Sequence, residues 1–167
     1  PDADALVYHN GLPGTILLDG AENEDTYTVT ASSGSYLVNV YDSGASGGDL
    51  LTIYGTAVDD LVLMRAGENT FPASTAFVAF LHGDPVSDVE RINYSPALEQ
   101  LIVETLDGND RIYLDDNWTD TIVRGGTGTD SFQVGQMYKT ERDFLNANVA
   151  LEDEFETTAT TRGFLSN

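Results

Sequence analysis

Short segments in which apolar and polar residues alternate recur along the chain, and clusters of Gly, Asp, Asn and Ser separate them. The segments are rich in Val, Ile, Thr, Tyr and Phe, which favour a pleated and half-buried surface. Alternation at every second position buries one face of a strand. We predict strands at residues 15–18, 26–30, 35–41, 50–54, 61–64, 75–81, 90–94, 100–106, 111–114, 121–124 and 131–135. Because no amphipathic helical pattern interrupts them before residue 138, the predicted fold is all-β.

Five windows of the sequence align on an aspartate that is followed two residues later by an apolar residue. They are residues 20–28, 55–63, 105–113, 115–123 and 125–133, with anchors Asp25, Asp60, Asp110, Asp120 and Asp130. The last three anchors follow one another at a period of 10 residues. A turn and a short strand repeated at constant spacing are typical of a solenoid, in which each unit buries its strand against the next.

We therefore predict a right-handed parallel β-helix or β-roll-like solenoid, somewhat irregular, over residues 1–138. Residues 139–167 lack the pattern, and we predict a long loop or connector towards a following unit, with residues 143–150 as the one candidate for a short helix. Within the solenoid, residues 64–100 contain no repeat window and have no predicted role. We expect the chain to be a segment of a longer polypeptide.

The window at residues 125–133 reads GGTGTDSFQ and is the densest turn in the sequence. Its three glycines permit backbone conformations that a β-carbon disfavours, so that carbonyl oxygens can turn inward together. Ca²⁺ takes six to eight oxygen ligands at about 2.3–2.6 Å and accepts backbone carbonyls readily. Asp130 adds a charged oxygen at the end of the turn. We expect Ser131 to point outward and Phe132 to enter the core.

One turn supplies only part of a calcium coordination sphere, so we expect a neighbouring turn to supply the rest. The windows at 105–113 and 115–123 are rich in oxygen donors. The candidate metal ligands are Asp107, Asn109, Asp110, Asp116, Asn117, Asp120, Gly125, Thr127, Gly128 and Asp130. The alternative is a set of ordinary Asp/Gly turns with a solvated acidic rim.

The two earlier windows follow the pattern less closely. Window 20–28 places Asn23 where the third glycine would stand, and Asn is among the residues that best tolerate left-handed geometry. It is the weaker candidate for a metal site. Window 55–63 keeps only a glycine, the anchor and an apolar residue, and we predict a purely structural role for it.

The stretch GGTGTDSFQ matches the consensus G-G-x-G-x-D-x-U-x at every fixed position, so residues 105–133 resemble the haemolysin-type, repeats-in-toxin calcium-binding repeat. More loosely, the chain is similar to a repeating unit of very large secreted bacterial proteins, through "LVYHN", "ERINY", "GGTGTDSFQVGQ" and "TTRGFLSN". The resemblance implies an extracellular, calcium-stabilised structural module of an adhesin, a matrix protein or a surface fibre. Its partners would be neighbouring repeats or identical modules, stacked end to end.

The charge of the chain limits its partners. Asp and Glu number 28 against 7 Lys and Arg, a formal net charge of −21. Binding to nucleic-acid phosphates requires a basic surface, so we expect no nucleic-acid partner. No apolar run reaches the about 18 residues of a membrane span, and we expect no membrane insertion. Bound cations would relieve the self-repulsion of this charge; salt adaptation without a specific metal is an alternative.

No recognisable catalytic constellation is present, and we predict that the chain is not an enzyme. Cysteine is absent, which excludes thiolate metal sites and disulfides. His9 and His82 each lie beside a turn, and the arginines are expected to offset neighbouring acids. Trp118, the sole tryptophan, lies in the polar turn "DDNWTDT", where an exposed ring could stack on a sugar. A carbohydrate-binding or polysaccharide-processing β-helix, with surface glycans as ligands, is therefore the alternative function.

Overall fold

The computed structural model describes residues 5–8, 15–44, 46–67, 75–83, 86–135, 140–141 and 159–160, and these residues form strands and turns without a helix. The all-β prediction is confirmed. The strands are β1 Ala5–Tyr8, β2 Thr15–Leu18, β3 Thr26–Thr30, β4 Leu37–Val40, β5 Leu50–Tyr54, β6 Leu61–Gly67, β7 Thr75–His82, β8 Asp88–Tyr94, β9 Gln100–Glu104, β10 Arg111–Leu114, β11 Asp120–Arg124, β12 Ser131–Val134, β13 Thr140–Glu141 and β14 Ala159–Thr160. Every predicted strand is present, whereas β1, β13 and β14 were not predicted.

Twelve of the strands form two sheets. The five-stranded sheet has the order β1-β3-β5-β9-β11, and the seven-stranded sheet has the order β12-β10-β6-β7-β8-β4-β2. From β1 to β6 and again from β8 to β12, the chain crosses to the other sheet after each strand. The remaining strands, β13 and β14, pair with each other in parallel.

Strands within each sheet pair in parallel and keep a constant register along the stack. Residue Leu50 of β5 pairs with Thr26 on one side and Gln100 on the other, and Gln100 in turn pairs with Asp120 of β11. In the other sheet, Arg111 of β10 lies between Leu61 and Ser131. In these two runs, equivalent positions on adjacent strands are therefore 24, 50 or 20 residues apart.

The segment that had no predicted role contains the exception to parallel pairing. Strand β7 runs antiparallel to both β6 and β8, with Phe80 opposite Val62 and Glu90. It separates β6 from β8, and because β6, β7 and β8 all lie in this sheet, the sheet has two more strands than the other. Residues 64–100 thus contain an antiparallel strand, which does not follow the pattern of the repeat windows.

The core lies between the two sheets and contains the inward-facing residue of every second strand position. One buried cluster includes Tyr27, Ile53 and Val103 from the five-stranded sheet and Met64 and Ile112 from the seven-stranded sheet. Burial of such side chains contributes about 1.5–3 kcal/mol each, which makes the sheet interface the main source of stability.

The last strand of the seven-stranded sheet is only partly covered. Phe132 pairs with Ile112 and occupies the same inward position, yet its side chain is 51% exposed, because no strand follows β12 in the described part of the sheet. The prediction that Phe132 enters the core is therefore wrong in part, because half of its side chain remains exposed. Ser131 points outward as predicted.

The C-terminal region and the candidate short helix are described only in part. The helix predicted at 143–150 lies outside the described residues, and so does His9. No helix in the described ranges is long and apolar enough to cross a membrane.

Candidate metal centre

The connections between the two sheets gather at two corners, because parallel strands all begin at the same edge of a sheet. The first corner leads into the seven-stranded sheet and holds the turns 55–60, 105–110 and 125–130. The second corner leads into the five-stranded sheet and holds the turns 19–25, 41–49, 95–99 and 115–119.

At the first corner, the anchor aspartates form a hydrogen-bonded ladder. The backbone N–H of Asp60 donates to Asp110 Oδ1 at 2.8 Å, and the N–H of Asp110 donates to Asp130 Oδ1 at 3.1 Å. Asp60 also accepts the N–H of Thr56 within its own turn at 2.7 Å. Each carboxylate thus satisfies a backbone donor that would otherwise be unpaired at the start of a strand.

The turns at the first corner stack in direct backbone contact. Gly126 and Gly128 have φ angles of 82° and 126°, which favour glycine. A β-carbon at Gly126 would lie 1.7 Å from the carbonyl oxygen of Leu106, and one at Gly128 would lie 1.8 Å from that of Gly108. The glycines of the repeat therefore allow one turn to lie against the next.

Seven predicted ligands lie at the first corner, where several of their oxygens already accept hydrogen bonds. Asn109 Oδ1 accepts the N–H of Thr129 at 3.1 Å, and Thr127 donates its hydroxyl to Asp107. The seven residues are Asp107, Asn109, Asp110, Gly125, Thr127, Gly128 and Asp130.

The other three predicted ligands, Asp116, Asn117 and Asp120, lie at the opposite corner. The predicted period of 10 does not describe stacked turns, because windows 105–113 and 125–133 are the adjacent pair. The middle window is also one residue out of register. Asp120 pairs with Gln100, so Thr119 holds the anchor position.

At the second corner, three aspartates are buried together. Asp25, Asp42 and Asp49 are 1%, 3% and 4% exposed, and one carboxylate oxygen from each lies within 4.8 Å of the others. Turn 19–25 supplies the first and turn 41–49 the other two. This group has the composition of a hard-cation site, because it consists of oxygen ligands from adjacent turns.

Neutral donors hold these carboxylates in place. The Tyr27 hydroxyl donates to Asp42 Oδ2 at 2.6 Å, and the Gly44 N–H donates to Asp42 Oδ1 at 2.7 Å. The N–H of Asp25 donates to Asp49 Oδ1 at 2.9 Å. The recorded hydrogen bonds to Asp42 and Asp49 therefore bring no positive charge to the site.

The electrostatics of the site oppose ionisation. Burial raises the pKa of Asp49, and the charges of Asp42, Glu99 and Asp25 raise it further, against the hydrogen bond from the Asp25 N–H. Burial and the hydrogen bond to Asp42 also raise the pKa of Tyr27, so this hydroxyl stays protonated and donates. A divalent cation would reverse the balance, because it stabilises the charged carboxylates.

Comparison with protein-family models, with curated proteins and with solved structures finds no match. The resemblance of residues 105–133 to the haemolysin-type repeat therefore stays a prediction.

Asp25, Asp42 and Asp49 fit a calcium ion by their chemistry. Carboxylates of this kind bind either through one oxygen or through both, and backbone carbonyls complete the sphere in flexible calcium sites. Ala21 and Asn23, in the same turn as Asp25, have φ angles of 67° and 92°, which confirms the left-handed geometry expected of Asn23.

The sequence alignment contained Asp25 but missed Asp42 and Asp49. Asp49 obeys the same rule as the anchors, since Leu51 follows it by two residues and is fully buried. Comparison at a spacing of 24 residues, rather than 10, would have aligned it with Asp25. Asp42 carries no such signal, because it follows a strand instead of preceding one.

The arginines of the strands, which were the remaining candidates, contact neighbouring side chains. Arg65 forms an ion pair with the buried Asp115 at 2.5 Å, and Arg124 pairs with Glu104. Arg91 stacks on the ring of Phe77 at 4.0 Å from its centroid. Two of the four arginines in the strands thus offset neighbouring acids as expected.

Proposed function

We propose that this chain is a calcium-stabilised structural module of a large secreted protein, such as an adhesin, a matrix protein or a surface fibre. The module would be a short right-handed solenoid, and the cation would bind between the turns of the second corner. The observation that carries the proposal is the burial of Asp25, Asp42 and Asp49 around one point.

The solenoid part of the proposal is supported by strand pairing. Neighbouring strands are parallel, and the chain alternates between the two sheets on either side of β7. Such a stack is open at its ends, so that a further unit would continue the same parallel pairing. Neighbouring repeats or identical modules are the partners that this arrangement favours.

The calcium part of the proposal is supported by the electrostatic repulsion among the carboxylates of the metal-free site. Three carboxylates within 4.8 Å of one another repel in a buried environment, where charges are poorly screened. Calcium binding that requires the folded site adds its free energy to folding. Outside a cell, calcium at about millimolar concentration would fill sites with dissociation constants of about 10⁻⁴–10⁻³ M. The module would thus fold after export.

The test is a thermal melt of the chain in calcium, in magnesium and in chelator at fixed ionic strength. Calcium at about 100 times its dissociation constant stabilises a single site by about 2.7 kcal/mol. For a chain of this size, that increment raises the melting temperature by about 5–10 °C. We expect this rise with calcium and a smaller one with magnesium. Coincident curves in all three conditions would end the proposal and favour a metal-free acidic surface.

Two matched variants locate the ion. Asp49→Asn keeps the oxygen that accepts the Asp25 N–H but removes a charge from the second corner. Asp110→Asn keeps the oxygen that accepts the Asp60 N–H and removes a charge from the first corner. We expect Asp49→Asn to lose the calcium increment and Asp110→Asn to retain it. The reverse result would place the ion among residues 105–130.

A further inference from the structure

A cavity of about 640 Å³ lies at the second corner, beside the turns 95–99 and 115–119. Its volume is within the range of small-molecule sites, about 300–1,000 Å³. Apolar walls come from Pro96, Leu98 and Trp118, and polar groups come from both turns and from the start of β11. It lies beside the aspartate group on turns 19–25 and 41–49, to which its lining residue Glu99 is hydrogen-bonded through the N–H of Asp49.

The Trp118 ring, which forms the aromatic wall of the cavity, is held in place by core residues. Trp118 is half-buried and packs against the core cluster between the sheets. Its neighbours in the turn are fixed by hydrogen bonds, since Asn117 Nδ2 donates to the carbonyl of Thr119 at 2.6 Å and to Thr121 Oγ1 at 3.0 Å. An indole anchored in this way offers a flat apolar surface at little entropic cost to a ligand.

The polar groups of the cavity select a ligand that donates hydrogen bonds. Glu99 and Asp120 contribute exposed carboxylates, which only accept when ionised. Thr119 is 8% exposed, and its hydroxyl oxygen is buried without a partner among the described residues. Because this oxygen is not accessible, the two carboxylates are the acceptors that a ligand can reach.

The charge of the cavity excludes anions. No Lys, Arg or His is found among its described lining residues, and the whole chain carries a net charge of −21. The ligand must therefore combine an apolar face for the indole with several donors for the carboxylates. A neutral sugar or an amino sugar has both features, because its C–H face is apolar and its hydroxyl groups donate.

We propose that the Trp118 cavity binds a pyranose unit of a neutral or amino-sugar glycan, with Trp118 as the stacking platform and Glu99 and Asp120 as acceptors. Glycans with carboxylates, such as uronic acids, are excluded. The site adjoins the aspartate group, because Glu99 Oε2 accepts the N–H of Asp49 at 2.7 Å, whereas Trp118 and Asp120 lie outside that group.

Intrinsic fluorescence provides a direct test, since Trp118 is the sole tryptophan of the chain. The probes are triacetylchitotriose, mannotriose and cellotriose, with trigalacturonate as the anionic comparison, each titrated in calcium and again in chelator. We expect a saturable change in emission with at least one of the first three and none with trigalacturonate. The absence of saturation with all three neutral sugars would overturn the proposal, and so would saturation by trigalacturonate alone.

Variants separate binding from folding. Asp120→Ala removes a carboxylate that is exposed and has no recorded hydrogen bond, so the fold is expected to survive, as circular dichroism can verify. The affinity of the sugar should fall about tenfold or more, as for loss of a hydrogen bond to a charged group. Glu24→Ala, an exposed acid outside the cavity, is the matched control. Equal affinity in the two variants would exclude Asp120 from the site and contradict the proposal.

Discussion

Aspartates at the first and second corners begin the same kind of strand but are placed in different ways. At the first corner, Asp60, Asp110 and Asp130 lie one above another, and each meets backbone N–H donors. At the second corner, Asp42 joins Asp25 and Asp49 from the far side of a longer turn, and three carboxylates meet. At the first corner each anchor carboxylate accepts a backbone N–H, although burial and the charge of Asp110 still raise the pKa of Asp60. At the second corner a third carboxylate adds to the repulsion, which a cation would offset.

The difference comes from the lengths of the turns. Each first-corner turn spans six residues, from 55, 105 or 125 to its anchor, and leaves room for one carboxylate in the stack. The turn between β4 and β5 spans residues 41–49, so an aspartate at each of its ends folds back towards the other. The second corner has a ladder too, since the N–H of Asp25 donates to Asp49 and that of Asp49 to Glu99. The longer connection adds Asp42 to this ladder and makes it a candidate cation site.

The largest effect is expected from Gly126→Ala at the first corner. The alanine would have to keep a φ of 82° with its β-carbon 1.7 Å from a backbone oxygen, and that oxygen cannot rotate away. Left-handed strain together with overpacking should lower the free energy of unfolding by about 2–4 kcal/mol. Urea denaturation should give the same loss in calcium and in chelator.

Gly48→Ala is the matched control for Gly126→Ala. A β-carbon at Gly48 meets no atom within 4 Å, so stability should change by less than about 0.5 kcal/mol. Equal losses in the two variants would mean that the turns of the first corner do not stack closely.

An intermediate effect is expected from Asp110→Ala. The substitution leaves the buried N–H of Asp60 without its acceptor, which costs about 1–3 kcal/mol. Because the ladder satisfies its own donors, the loss measured in urea should be the same with calcium as with chelator. A loss confined to calcium would show that Asp110 holds an ion, and the contrast between the corners would disappear.

The dependence of the melting temperature on pH should distinguish the contribution of the second corner from that of the core. Burial raises the pKa of Asp49 and also that of Glu90, a fully buried residue on β8. When the folded pKa exceeds the unfolded value, the folded state binds more protons between the two, so stability falls as pH rises through this window. In chelator, the melting temperature should therefore rise as the pH is lowered from 7 towards 5.

Calcium should reduce this pH dependence only in part. It removes the contribution of Asp49, whereas that of Glu90 remains, because Glu90 accepts its hydrogen bonds from Ser32 and lies away from the site. Asp49→Asn in chelator should reproduce the effect of calcium. Glu90→Gln should remove part of the rest, and Asp60, whose pKa is also raised by burial, contributes the remainder. A melting temperature that increases from pH 5 to 7 in chelator would contradict the raised pKa values.

The smallest effect is expected from Thr127→Val, which removes an exposed hydrogen bond to Asp107 and keeps the volume of the side chain. Stability should change by less than about 0.5 kcal/mol, as for surface substitutions in general. The calcium increment in a thermal melt should be unchanged. Its loss would indicate that the predicted ligand Thr127 belongs to a metal site at the first corner.

Strand positions could be predicted well because they depend on local patterning. Segment 26–30 alternates so regularly that its bounds were exact. The place of each turn depends on pairing between distant residues, which spacing alone does not reveal. The period of 10 therefore grouped Asp120 with Asp110 and Asp130, although it lies in the other sheet. Asp42 was missed because only the folded turn brings it to Asp25.

The antiparallel strand β7 affects how the chain finds its pairing. Parallel strands of similar composition can pair one place out of order, because nothing but their side chains distinguishes one neighbour from another. β7 runs against both of its neighbours, and it joins segments that are close in sequence and so meet early in folding. The antiparallel pairing of β7 therefore fixes which strands lie on either side of it, and with them the order of the parallel strands beyond.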